Sequence, residues 1–166
     1  MHEIRFLALS DQRSSTTREL VCVGERGPAP DIRARTLSDY WLYAKLFSST
    51  CPIMIGEDNT ITGAVIAFRS QDDPADLYVQ DVMTHPQHRR RGIALALLGS
   101  VRSQAEKWDC ERLYLRSELD NQAAHSSWTA LGFVNVPGDH EINDISIVTD
   151  FKGPGRSRAV YELPLA

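Results

Sequence analysis

The chain has 166 residues, of which 42% are hydrophobic and 24% charged, and its formal net charge is −4. This length predicts a single domain over residues 1–166, and the negative charge argues against a general nucleic-acid binder. No apolar run approaches the roughly 20 residues needed to span a bilayer, so we expect no membrane partner. The first residues lack an apolar signal-peptide core, and the three cysteines are widely spaced, so we expect a reduced, cytoplasmic protein.

The predicted elements begin with a strand at residues 4–9, followed by a weak helical pattern at residues 16–23. The glycine- and proline-rich stretch at residues 24–30 must be a loop, because both residue types break regular structure. Ser38 or Asp39 can cap the helix that follows, which is rich in aromatic residues.

Three consecutive strands are predicted next. The apolar segment at residues 51–56 and its hairpin partner at residues 60–68 flank the turn Glu57-Asp58-Asn59. A second turn leads into an apolar strand at residues 77–84. Strands joined by short turns pair with their neighbours, so these three predict an antiparallel meander.

Helices and strands alternate in the second half of the chain. Apolar residues recur at helical spacing over residues 93–107 and 121–131, and Gly132 stops the second of these helices. Short apolar runs predict three further strands, at residues 112–116, 145–148 and 159–163. This order of elements predicts an α/β fold with one mixed sheet and helices on both faces.

The most distinctive segment joins the meander to the 93–107 helix. It reads Arg89-Arg90-Arg91-Gly92-Ile93-Ala94. Backbone N–H groups at a helix start point outward, and the helix dipole favours negative charge there. Gly92 lets the backbone approach a ligand closely, and the arginines add permanent positive charge. The segment lacks the glycine spacing of a P-loop or a dinucleotide fingerprint, so it predicts a phosphate site of another kind.

With Arg89, Gly92 and Ala94 in the fixed positions, this segment resembles the acyl-CoA pyrophosphate loop of the GNAT acetyltransferase superfamily. The run from Asn121 to Phe133 resembles a second motif of that superfamily and lies at the expected distance. The resemblance covers about half of the chain, residues 60–136. It implies a mixed, mostly antiparallel central sheet that is splayed between two strands to hold acyl-CoA.

The resemblance also implies which residues hold acetyl-CoA, the expected cosubstrate. An extended pantetheine arm can pair with the splayed edge as an added strand would. The expected cofactor-binding residues are Val82, Met83 and Thr84 on the splayed strand, Arg89, Arg90, Arg91, Gly92, Ile93 and Ala94 around the pyrophosphate, and Asn121, Ala124 and Trp128 at the second motif. No metal is expected, because a pair of histidines, His85 and His88, among arginines is a poor metal site.

GNAT enzymes transfer the acyl group directly to an amine through a tetrahedral intermediate, so the resemblance implies an acyl-CoA-dependent N-acetyltransferase. The attacking amine must lose a proton. Gln80 and Asp81 stand where the family often has an acid, and alternation along a strand places only one of them in the cleft. Only Asp81 can accept a proton, although it could instead bond a neighbouring loop. A backbone N–H near Met83 is the expected donor to the carbonyl oxygen.

The leaving thiolate has no obvious proton donor. The family often has tyrosine where this chain has Trp128, and an indole cannot protonate a thiolate. Either the thiolate leaves unprotonated, which its low basicity allows, or Ser127, Tyr114 or His125 serves as the acid. His125 is expected on the solvent face of its helix.

The expected acceptor is a small molecule with a primary amine, such as an amino acid or diamine. The early helix borders the acceptor site in GNAT proteins, so Asp39 and Tyr40 are candidate contacts, together with Gln80. Residues 38–82 are similar in layout to the diaminobutyrate acetyltransferases of ectoine synthesis. Gln80 and Asp81 stand where those enzymes have tryptophan and glutamine, so the substrate does not carry across.

Two other functions fit the same motifs. One is a non-catalytic acyl-CoA-binding sensor or regulatory module, and the other is an acetyltransferase that acts on protein amines. The loop at residues 24–35 and the tail at residues 140–150 favour a closed cleft, and the acidic tail would suit a cationic amine. A homodimer is possible by resemblance alone.

Overall fold

The fold is described from a computed structural model, which covers residues 3–6 and 37–165. The helical pattern at residues 16–23, the loop at residues 24–30 and Cys22 lie outside these ranges. The last part of the predicted first strand lies outside them too. Elements are numbered below within the described ranges.

The described part of the chain contains nine strands and three α-helices. The strands are β1 Glu3–Phe6, β2 Pro52–Ile55, β3 Ile61–Arg69, β4 Asp76–Thr84, β5 Arg112–Ser117, β6 Val134–Asn135, β7 His140–Ile142, β8 Ile145–Ile147 and β9 Ala159–Pro164. The helices are α1 Leu37–Leu46, α2 Ile93–Lys107 and α3 Gln122–Ala130, and short 3-10 turns lie at Ser48–Thr50 and Pro86–His88. None of these helices is long and apolar enough to cross a membrane.

Seven strands form one sheet in the order β1-β2-β3-β4-β5-β9-β6, and β7 and β8 form a separate hairpin. Only β4 and β5 are parallel, and the other neighbours in the sheet run antiparallel. The mixed, mostly antiparallel sheet predicted from the sequence is therefore confirmed.

The sheet separates two apolar clusters. On one side, called the α2 face, strand side chains pack against α2; this cluster includes Val65, Ala67, Leu77, Val79, Leu113, Leu115, Ile93, Leu97 and Val101. On the other side, called the α1 face, strand side chains pack against α1; this cluster includes Ile53, Ala64, Ile66, Tyr40 and Ala44. Helix α3 contributes Trp128 to the edge of the first cluster, so helices cover both faces as predicted.

Gly63 on β3 lets the start of α2 lie close to the sheet. A Cβ atom at this position would lie 2.5 Å from Ile93 Cγ2 and 3.0 Å from the carbonyl oxygen of Met83. Real Cβ atoms essentially never show a contact as short as the one to Ile93, so a side chain here would push the start of α2 away. The absence of a side chain at Gly63 therefore allows the start of α2, and the basic loop before it, to lie beside the end of β4.

Strand β4 contains a β-bulge. Val79 lies opposite Ala67 and Asp81 lies opposite Ile66, so Gln80 is the extra residue. Val79 packs in the α2-face cluster and Ile66 in the α1-face cluster. Asp81 therefore lies on the α1 face although Val79, two residues earlier, lies on the α2 face, because the bulge interrupts the two-residue period. Which of Gln80 and Asp81 enters the cleft stays a prediction.

Most predicted elements are present with small shifts at their ends. The helix at residues 93–107 has the predicted bounds. Helix α1 begins at Leu37, so Ser38 and Asp39 lie in its first turn and the predicted cap is wrong by a position or two. The sequence patterns missed β6 and β7, because strands of two or three largely exposed residues carry no periodic signal.

The described cysteines behave as core residues. Cys51 and Cys110 are both buried and carry free thiols. Burial raises the pKa of the Cys51 thiol to about 12. A thiol held neutral in this way is a poor nucleophile, which agrees with the packing role predicted for it.

Candidate functional site

The two central strands β4 and β5 part towards their C-terminal ends. They pair from Asp76 with Arg112 to Val79 with Leu115. Beyond that point β4 continues its register with β3, and β5 continues with β9. Edges that part in this way present backbone N–H and C=O groups to the gap between them. The predicted splay of the sheet is therefore present, and Val82, Met83 and Thr84 lie along its β4 side.

The basic loop has the backbone geometry of an anion site. Arg90 has φ +59° and Gly92 has φ +75°, so left-handed residues lie on either side of Arg91. Left-handed residues are a component of the backbone nests in which successive N–H groups face one anion. The first hydrogen bond of α2 runs from the N–H of Ala96 to the carbonyl of Gly92 (2.9 Å), which leaves the preceding N–H groups directed outward.

The space in front of this loop is open. A Cβ atom on Gly92 would have no atom of the described chain within 4 Å apart from its immediate neighbours. The residues from Arg89 to Gly92 are exposed, whereas Ile93 is buried under α2 and Ala94 is half-buried. The loop therefore combines a rigid attachment to the core with room for a phosphate group.

The two histidines before the loop form a local pair. The N–H of Gln87 donates to His85 Nδ1 (3.3 Å), and the His85 and His88 rings meet edge to face at 5.5 Å. Within residues 3–6 and 37–165, no group of three or more His, Cys, Asp or Glu side chains is placed to hold a metal ion.

The α1 face brings several predicted acceptor-side residues together. Tyr40 is buried, and its hydroxyl donates to Met83 Sδ (3.6 Å). The charge of Asp81 adds to the effect of burial in raising the pKa of the Cys51 thiol, which indicates that the two side chains lie on the same side of the sheet. Asp39 is half-buried in the first turn of α1. Asp81 and the early helix therefore share one side of the splayed strand.

Tyr114 lies on the same face but in the closed part of the sheet. It pairs with Tyr78 across the β4–β5 ladder, and the two rings are 5.0 Å apart. Burial raises the pKa of the Tyr114 hydroxyl, and the charge of Asp76 contributes in the same direction. Tyr114 thus precedes the gap, and a raised pKa makes it a weaker acid.

The other two candidate acids lie on α3. Ser127 is exposed, and its hydroxyl donates to the carbonyl of Ala123 (2.7 Å). His125 is buried at 3% exposure, with Nδ1 2.7 Å from the Tyr161 hydroxyl. The expectation that His125 faces solvent is wrong, because α3 packs this residue against β9.

Trp128 also packs into the structure. Its contact with Ser117 adds a residue at the gap that no sequence pattern indicated. Its Nε1–H donates to Ser117 Oγ (3.3 Å), and its ring meets Phe133 edge to face at 6.2 Å. Ser117 is buried at the end of β5, on the α2 face of the gap. No local sequence pattern predicted this contact, because the two residues belong to different elements.

Asn121 begins α3. Its Oδ1 accepts a hydrogen bond from the N–H of Ala124 (3.1 Å), so this side chain is the N-cap of the helix. Asn121 and Ala124 are both half-buried. The cap explains the spacing of the two residues, and their contact with a cofactor stays a prediction.

A charged cluster lies beside the gap, and no sequence pattern indicated it. Arg116 Nη1 and Arg158 Nη2 approach the same oxygen of Glu118, at 3.8 and 2.9 Å. Both arginine side chains are only 13% exposed. The cluster joins the end of β5 to the start of β9, two segments far apart in the chain.

The acidic tail is held next to this cluster. Val148 and Arg158 exchange backbone hydrogen bonds of 2.9 and 3.0 Å. Asp150 Oδ1 accepts from the N–H of Gly155 (2.7 Å), so it supports a turn, while Glu141 and Asp144 are exposed. The tail therefore has a defined position, and its role in acceptor binding stays a prediction.

Comparisons with known proteins agree with one another. The sequence profile of the "Acetyltransferase (GNAT) family" matches residues 16–133. An aminoglycoside N(6')-acetyltransferase type 1 from Acinetobacter baumannii is 34% identical over 56 residues, a match that spans 34% of this chain and 38% of the relative, well under two thirds of its length.

Two solved structures show the same fold. Diaminobutyrate acetyltransferase EctA from Paenibacillus lautus, in complex with L-2,4-diaminobutyric acid and coenzyme A, has a TM-score of 0.75 at 19% identity, covering 99% of this chain and 95% of that one. The ribosomal-protein-S18-alanine N-acetyltransferase from Escherichia coli has a TM-score of 0.70 at 16% identity, covering 100% and 95% of the two chains. Identities this low establish the fold alone.

Proposed function

The chain belongs to the GNAT acetyltransferase family, and from this premise we propose that it transfers an acetyl group from acetyl-CoA to the primary amine of a small acceptor. The observation that carries the proposal is the gap between β4 and β5, which opens beside an anion-binding loop. These two features together suit a ligand with an extended amide arm and a pyrophosphate.

The residues present fit acetyl-CoA as cosubstrate. Backbone groups of Val82 and Thr84 along the β4 edge would pair with the pantetheine amides. The loop from Arg89 to Ala94 would hold the pyrophosphate, since its left-handed residues and the start of α2 supply N–H donors. Coenzyme A is bound in the diaminobutyrate acetyltransferase structure that shares this fold.

Asp81 would accept the proton of the attacking amine, directly or through one water molecule. Its place on the α1 face, opposite Ile66 and on the side of the sheet where α1 packs, supports this role, because the acceptor is expected on that side. Acetyl-CoA would supply a thioester: attack of the amine on its carbonyl carbon would form the C–N bond of a tetrahedral intermediate, whose collapse would break the C–S bond and release the thiolate. The backbone N–H of Met83 would donate to the carbonyl oxygen while it carries negative charge.

The leaving group needs no strong acid here. A thiolate is weakly basic compared with an amine, so it can leave with its electron pair unprotonated. Ser117 is better placed than Ser127 or Tyr114 to stabilise it, because Ser117 lies at the gap and accepts from Trp128. Its hydroxyl hydrogen can then donate to the departing sulfur.

The test is release of free thiol from acetyl-CoA across a panel of amino acids, diamines, aminoglycosides and peptides with free N-termini. Release with small amines supports the proposal, and release with peptides alone would favour an enzyme for protein amines. A rise in melting temperature with acetyl-CoA but no thiol release would favour a binding module. Neither a thermal shift nor thiol release would contradict the cofactor assignment itself.

A further inference from the structure

We propose that the acceptor carries a carboxylate as well as an amine, and that Arg116 and Arg158 bind this carboxylate. The inference rests on the proposed function and narrows its substrate class to amino-acid-like amines. Diamines without an acid group and polycationic aminoglycosides would then be poor substrates.

The arginines lie on the acceptor side of the gap. Along β5, Leu113, Leu115 and Ser117 are buried on the α2 face, so Arg116 projects to the α1 face. Arg158 directly precedes β9, and its ion pair with Glu118 places it next to Arg116. Asp81 occupies the same face on the opposite side of the gap. An amine at Asp81 and a carboxylate at the arginines would therefore span the opening.

The proposed phosphate site of the cofactor lies on the other face of the sheet from the arginine cluster. The basic loop begins α2 and lies with it on the α2 face of the sheet. Arg116 is on the other face and on the other strand of the gap, and Arg158 lies beside it at their shared partner Glu118. Their positive charge is therefore directed at the acceptor rather than at the pyrophosphate.

The chemistry of the cluster favours a further anion. Arg158 donates to Glu118 and, through Nη1, to the carbonyl of Ser157 (2.7 Å). Its Nε is buried and makes no hydrogen bond within the described part of the chain. A guanidinium has five N–H donors in a fork that matches a carboxylate, and a poorly solvated one is costly unless it is well paired. Glu118 is 41% exposed, so an incoming carboxylate can reach the same donors.

The same cluster would discriminate against other amines. A decarboxylated amine leaves the guanidinium groups without the anion, and an aminoglycoside brings further positive charge towards them. Specificity of this kind comes from rejecting the wrong ligand as much as from binding the right one. Removing one charged partner of a hydrogen-bonded pair commonly costs tenfold or more in affinity, about 1.5–3 kcal/mol.

The experiment compares amino acids with their decarboxylated partners: lysine with 1,5-diaminopentane, ornithine with 1,4-diaminobutane, and 2,4-diaminobutyrate with 1,3-diaminopropane. We expect kcat/KM to be at least about tenfold higher for the acid of the preferred pair. Arg158→Gln should remove most of this preference by raising the KM for the acid, with the KM for acetyl-CoA unchanged. Arg102→Gln is the control, because Arg102 is an exposed arginine of α2 that pairs with Glu106 on the same helix.

A second variant distinguishes loss of the carboxylate site from a folding defect. Glu118→Gln removes the carboxylate that competes for both arginines, so it should lower the KM for the acid, a gain that misfolding cannot produce. Equal kcat/KM for acid and decarboxylated amine in the wild-type protein would overturn the inference and leave the proposed function intact.

Binding without turnover separates the two proposals. Suppose that no amine gives thiol release, but amino acids still bind the coenzyme A complex in calorimetry and lose this binding in Arg158→Gln. The arginine site is then supported and the enzymatic proposal is contradicted. Absence of both turnover and amino-acid binding would overturn both.

Discussion

Gly92→Asp should abolish coenzyme A binding and leave the protein folded. Gly92 is the residue before α2 and has φ +75°, a conformation that Asp and Asn tolerate better than other side chains. A Cβ atom there would have no atom of the described chain within 4 Å, apart from its immediate neighbours. The cost is therefore the strain of a left-handed conformation alone, so we expect a stability within about 1 kcal/mol of wild type.

The binding loss should be large because the substitution places a negative charge where the pyrophosphate is expected. Two unit charges about 5 Å apart repel by roughly 3 kcal/mol at an effective dielectric constant of about 20. That repulsion alone corresponds to a loss of about a hundredfold in affinity. Gly92→Asn adds a side chain of nearly the same shape without the charge, so it should lose much less.

Calorimetry with coenzyme A at about 0.15 M ionic strength measures the affinity, and the melting temperature without ligand checks the fold. A higher salt concentration should reduce the difference in coenzyme A affinity between the Gly92→Asp and Gly92→Asn variants. Wild-type affinity in Gly92→Asp would show that the phosphates bind elsewhere. Equal losses in both variants would show that bulk, rather than charge, excludes the ligand, and would refute the electrostatic reasoning.

Three further predictions concern the gap and the core. Asp81→Asn should lower kcat by about 10²–10⁴-fold at neutral pH with coenzyme A affinity unchanged, as measured by thiol release and calorimetry; full activity would exclude Asp81 as the base. Ser117→Ala should leave the Trp128 N–H without its acceptor and reduce the free energy of unfolding in urea by about 1–3 kcal/mol; an unchanged value would mean that this hydrogen bond contributes nothing. Burial raises the pKa of Cys51 from 9.0 to about 12, so the unfolded thiol ionises before the folded one. The stability due to this thiol should therefore fall between about pH 9 and pH 12 by up to about 1.4 kcal/mol per pH unit, and Cys51→Ala should show a shallower decline in urea unfolding; equal slopes would refute the assigned cause.

The parts of the site that follow from local chemistry were predictable from the sequence. A glycine before a periodic apolar run marks the start of α2, so the helix at residues 93–107 was predicted with its correct bounds, and the same glycine is the basis of the anion site that we propose. Asn121 was predicted at the start of the next helix, and the structure shows it as the N-cap. Signals of this kind depend on neighbours within one turn, which the sequence contains directly.

The parts that depend on distant segments were not predictable. Nothing near Gln80 marks it as a bulge, because the extra residue is defined only by the pairing of β4 with β3. Arg116 and Arg158 come together only because β9 pairs with β5. His125 was misplaced for a similar reason: α3 is short, and its buried side is decided by contact with Tyr161 rather than by a clear apolar stripe.

The bulge gives the site its division between two faces of the sheet. If β4 had no extra residue at Gln80, Asp81 would share the face of Val79 and point into the α2-face cluster, where a carboxylate would be poorly solvated. The added residue instead places Asp81 opposite Ile66, on the side of Tyr40 and the arginine cluster, while the backbone of the same strand still leads into the basic loop. One strand can therefore serve the cofactor at its end and along its edge, and the acceptor on its α1 face. Under the proposed function, this single irregularity of pairing would separate proton transfer from phosphate binding without any additional element of structure.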